Sequence, residues 1–61
     1  MDKIVFTIKR VPQGLKIVTT SALADEEDRW TQTFSVCLMS TMERLTMKYG
    51  KRGISVLFEV E

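Results

Sequence analysis

Sixty-one residues make one thin domain, since a chain this short buries only about 60% of the surface it exposes when unfolded. Hydrophobic residues at 44%, charged residues at 28% and a formal net charge of +1 argue against a disordered chain. They also remove any global attraction to nucleic acid or a membrane surface. One cysteine and no histidine exclude an internal disulfide and speak against structural zinc, so self-association is the staple left to so small a core.

The longest uncharged run, Trp30 to Met42, is too short and too rich in Ser and Thr to cross a bilayer. In "MDKIVFTIKR" charges stand where a signal peptide carries its apolar run. A cytoplasmic protein with no membrane contact is expected, with Cys37 in a reducing compartment.

The first predicted element is a strand over about 3–10. Ile4, Phe6 and Ile8 alternate with Val5, Thr7 and Lys9, and most of these residues are β-branched or aromatic. "VPQG" reads as a hairpin turn, with Pro12 setting φ and Gly14 supplying a positive-φ position. A second strand follows over about 15–20, antiparallel to the first; the turn leaves open whether Ile17 or Val18 faces the core.

"ADEEDRW" opens a helix, with Asp25 as N-cap and Glu26, Glu27 and Asp28 in the positively polarised first turn. No Gly or Pro interrupts the chain until Gly50, which suits a C′ position, so the spacing predicts one helix over about 26–49. Leu23, Trp30, Phe34, Cys37, Leu38, Thr41, Met42, Leu45 and Tyr49 then share a sector of about 140°. This is the expected core face. Val36, Met39 and Met47 fall outside it.

"ISVLFEVE" gives a third strand over about 53–60, with Ile54, Val56, Phe58 and Val60 alternating against Ser55, Leu57, Glu59 and Glu61. The expected fold is α+β: a single ββαβ domain over 1–61, with a three-stranded antiparallel sheet in the order 2-1-3 and the long helix across one face. Order 1-2-3 would need a parallel pair. Phe6, Phe34, Leu38, Leu45, Val56 and Phe58 are expected to form the core.

Chemistry is sparse. Cys37 has no histidine to activate it and falls in the core stripe, and the acids of "DEED" serve a helix start. No catalytic residue, metal site or cofactor is expected; Asp25 to Asp28 with Glu59 or Glu61 is the weak metal candidate.

The expected topology gathers Lys9, Arg10, Lys16, Lys48, Lys51 and Arg52 into one basic pole. Asp2, Asp25, Glu26, Glu27, Asp28, Glu59 and Glu61 would stand at the other end, with Lys3 and Arg29. "GKRG" at 50–53 matches the Gly-x-x-Gly pattern with which some nucleic-acid-binding loops clamp a backbone, although such loops join two helices.

The function expected is a small non-enzymatic protein–protein interaction module. It would be a regulator of the inhibitor or adaptor kind that self-associates as a homodimer and binds another protein. Val36, Met39, Met47 and Trp30 are its candidate partner surface. The alternative is a small nucleic-acid-binding protein that uses the basic pole around Lys51 and Arg52. An enzyme subunit completed across a dimer interface ranks below both.

Overall fold

The computed structural model describes residues 2–33 and 37–61. Strand β1 (Lys3–Val11) turns at Pro12 and Gln13 into β2 (Gly14–Val18), pairing Val11 with Gly14 and Ile8 with Ile17. Gly14 takes φ +138°, which an L side chain rarely adopts. The register answers the question the turn left open: Ile17 faces the core, and Val18 points the other way.

A loop then leads to α1 (Glu26–Arg29), β3 (Gln32–Thr33), α2 (Leu38–Gly50) and β4 (Ser55–Val60). Thr19 anchors the loop, its Oγ1 donating to the Val5 carbonyl at 2.8 Å. The sheet therefore has four strands, in the order β3-β2-β1-β4.

The single helix expected over 26–49 is two helices separated by a strand. Among the described residues of the break, Trp30, Thr31 and Thr33 are aromatic or β-branched and favour an extended chain. β3 pairs Thr33 with Leu15 and Gln32 with Lys16, giving up helical bonds for ladder bonds. The expected core residue Phe34 and surface residue Val36 lie outside the described residues.

That extra strand explains the second correction. The strand expected to lie antiparallel beside β1 does lie beside it, but parallel, pairing Ile4 with Val56 and Phe6 with Phe58. β3 reverses the chain once more than a ββαβ order allows, so α2 runs back across the sheet and β4 enters in the direction of β1.

The core lies between α2 and one sheet face. Ile4, Phe6, Ile8, Ile17, Ala24, Leu45, Tyr49 and Ile54 are buried, with Leu15, Leu23, Leu38, Met42, Val56 and Phe58 partly buried against them. Phe6 sits between Phe58 and Tyr49, at ring separations of 5.7 and 6.2 Å. Val56 and Phe58 pack against this core and keep only a minor part of their surface in water, as residues of the edge strand β4.

Leu38, Met42, Leu45 and Tyr49 keep the spacing read from the sequence. Cys37 and Trp30 do not join them; both are exposed. Gly50 is the last residue of α2 and not a left-handed C′ residue, and the positive φ falls at Gly53 (+77°).

Candidate interaction surface

Three features are candidates: an ionic node around Asp28, a methionine-lined groove beside β4, and the open face of the sheet. Asp28 is 1% exposed although it sits in a four-residue helix. Its Oδ1 accepts from Arg44 Nη2 at 3.1 Å. Its Oδ2 accepts from Lys48 Nζ at 2.8 Å and from the Tyr49 hydroxyl at 2.6 Å. The same hydroxyl accepts the Asp25 backbone N–H at 2.9 Å.

Burial pushes the Asp28 carboxyl upward, but the hydrogen bonds from Lys48, Tyr49 and Arg44 outweigh it and hold the group below its ordinary value. Tyr49 is raised by burial and by the hydrogen bond it donates to Asp28, so its proton stays in place at neutral pH. Lys48 also reaches Asp25 at 2.7 Å and Glu27 at 2.9 Å, and these carboxylates with Asp28 raise it above the usual lysine range. Asp25 is lowered, chiefly by its hydrogen bond with Lys48. Arg52 adds a longer contact to Asp25 at 3.5 Å.

Asp25, Glu27 and Asp28 bring carboxylate oxygens within 4.8 Å of one another, which is close enough for a cation. The Lys48 ammonium is bonded to all three. This node ties α1 to α2, and its charges are spent on each other. Asp25 stands at the N-cap position, yet its side chain makes no cap bond and goes to Lys48 instead.

The expected basic pole is divided. Lys48, Lys51 and Arg52 lie at the C-terminal end of α2, where Lys48 and Arg52 meet the acids of α1. Lys9, Arg10 and Lys16 lie at the far end of the β1–β2 hairpin, where Lys9 meets Glu61 at 3.4 Å. The parallel β4 is the cause, since it carries Glu59 to the level of Thr7 and puts Ser55 beside Lys3.

The expected partner surface is divided as well. Met39 and Met47 are 67% and 63% exposed on α2. With Met42, Glu43, Thr46 and Phe58 they line a groove of about 380 Å³ between α2 and β4. Trp30 is 65% exposed and follows the β2–β3 register, in which Ile17 N–H donates to the Thr31 carbonyl. That register sets Trp30 on the sheet face away from α2, with the Lys16 ammonium 5.5 Å from its ring centroid. Val5, Val18 and Leu57 share this open face.

Sequence reasoning missed Asp28 as a buried anchor. The signal was the set of cations at Arg44 and Lys48, four apart on one helix face, next to a tyrosine whose hydroxyl needs a partner once its ring is buried. No helix among the described residues is long and apolar enough to cross a membrane. The chain matches no protein-family model, no curated protein and no solved structure.

Proposed function

We propose that this chain is a non-enzymatic protein–protein interaction module that self-associates and regulates a larger assembly as an inhibitor or adaptor. A cytoplasmic location belongs to the same reading. The observation that carries it is the methionine groove: Met39 and Met47 remain about two-thirds exposed beside the partly buried Phe58. Methionine adapts its shape to irregular partners, and an apolar strip that a monomer leaves in water gains by being covered.

Sedimentation equilibrium at tens of micromolar should return a mass near twice 7.0 kDa, with a melting temperature that rises with concentration. A monomer at millimolar concentration with a concentration-independent melting point overturns self-association.

Nucleic-acid binding is the second reading, moved to the open sheet face. Lys16 over the exposed Trp30 ring, with Lys3 on the same face, has the makeup of a base-stacking platform with phosphate-neutralising charge.

A further inference from the structure

Building on the self-association just proposed, we infer that its site is the outer edge of β4, along which a second copy of this chain pairs antiparallel and joins two four-stranded sheets into one. No strand among the described residues covers that edge. The inner edge is fixed by its hydrogen bonds: Ser55 N–H donates to the Asp2 carbonyl at 3.1 Å and Glu61 N–H to the Ile8 carbonyl at 3.0 Å. Odd-numbered residues of β4 therefore bond to β1. The strand's period of two turns the N–H and C=O groups of Val56, Phe58 and Val60 outward.

One register satisfies all three. It sets Phe58 against the partner's Phe58 across the two-fold axis, and Val56 against the partner's Val60. Each of these three pairs exchanges two bonds, about six in all. Shifting the register by one pleat would bring Ile54 opposite the partner's Val60, but the Ile54 N–H is already given to the Tyr49 carbonyl at 3.0 Å. The Phe58-centred register is thus preferred by the backbone alone.

The side chains agree with it. Val60 is 80% exposed, the most of any large apolar residue described, and would be covered by the partner's Val56. A two-fold axis perpendicular to the sheet keeps both α2 helices on one face, so the Met39 and Met42 flanks of the two grooves meet over the joint.

Charge complementarity selects a second copy running antiparallel. β4 follows the cationic Lys51–Arg52 turn and ends in Glu59 and Glu61. Antiparallel pairing brings the partner's Glu61 beside Ser55, at the end of β4 that follows the Lys51–Arg52 turn, while parallel pairing would set glutamates against glutamates. The edge also lacks the inward charge, proline or bulge that blunts the edges of monomeric sheets.

Val60→Lys places a charge in the joint, and Val60→Pro removes an outward donor without touching the bonds to β1. The exposed side chain means that both should fold, which the melting curve at low concentration checks. Each should weaken self-association at least tenfold in sedimentation, while Val60→Thr dimerises like the wild type. In the wild type, exchange of the Val56, Phe58 and Val60 amides should slow as concentration rises. If the wild type dimerises and both variants dimerise equally well, or those amides ignore concentration, edge pairing is overturned and self-association stands. If the wild type stays monomeric at millimolar concentration, both fall. Protection of these amides that appears only with another protein would hand the edge to a foreign strand and overturn the second copy.

Discussion

Asp28 shows what a buried charge costs and what it fixes. A carboxylate 1% exposed must have its lone pairs filled, and Arg44, Lys48 and Tyr49 fill them from one helix. Asp28→Ala would leave the Tyr49 hydroxyl without an acceptor for its proton and remove one of the three carboxylates around Lys48. It should cost about 3 kcal/mol, the low end for a broken buried pair because Arg44 and Lys48 stay partly solvated. Tyr49→Phe removes a donor to Asp28 and an acceptor for the Asp25 N–H, and should cost about 1–3 kcal/mol in chemical denaturation. The pH dependence follows from the depressed Asp28 carboxyl. Its contribution is present above the unfolded value of 3.8 and is lost as the pH falls through the lower folded value. The wild-type melting temperature should fall between about pH 5 and pH 2, and Asp28→Asn should flatten that fall. An unchanged slope in Asp28→Asn would show that other carboxyls govern acid unfolding.

At the scale of elements, the β1–β2 hairpin, the core spacing of α2 and the alternation of β4 were all legible, because each rests on local periodicity and turn chemistry. The error lay in reading the absence of Gly and Pro between 26 and 49 as a continuous helix. Local preference at Trp30, Thr31 and Thr33 was already extended, and the free β2 edge supplied ladder bonds that a helix there would forgo. One missed strand then inverted the direction of β4 and split the basic pole, so a local misreading became a global one. The site suffered more than the fold because it rested on which ends meet. The two glycines after Tyr49 give a paired check. Gly50 is helical with open space around it, so Gly50→Ala should stabilise by about 0.5–1 kcal/mol. Gly53 sits at φ +77°, so Gly53→Ala should destabilise by about 1–2 kcal/mol despite equal room. Opposite signs in thermal melts are the expected result; equal effects would place the end of α2 elsewhere. Leu45→Ala, at the fully buried centre of α2, should cost about 2–5 kcal/mol and unfold much of so marginal a domain.

Over the whole molecule, charge is organised as two ends with internal ion pairs and one open face. Lys48 and Arg52 answer the acids of α1, and Lys9 answers Glu61, so neither end offers the concentrated field that the linear sequence implied. What remains for an anion is the sheet face away from α2, where Lys3 and Lys16 flank Val5, Val18 and the exposed Trp30. This separates the two versions of the nucleic-acid reading. If the Lys51–Arg52 turn were the contact, Lys51→Glu alone would abolish binding to single-stranded RNA or DNA at about 50 mM salt, where phosphate contacts are strong. If the open face is the contact, Lys51→Glu should bind like the wild type. Trp30→Ala should then lose the stacking contribution, about 1–3 kcal/mol per base, and Lys16→Glu should lower the salt dependence as well as the affinity. Both open-face residues lie outside the core, so the melting temperature of either variant should stay near that of the wild type. A wild type that gives no mobility shift at about 50 mM salt removes nucleic acid in either version. The open face would then be left to protein contacts, where an exposed tryptophan beside a lysine is a recognised kind of anchor.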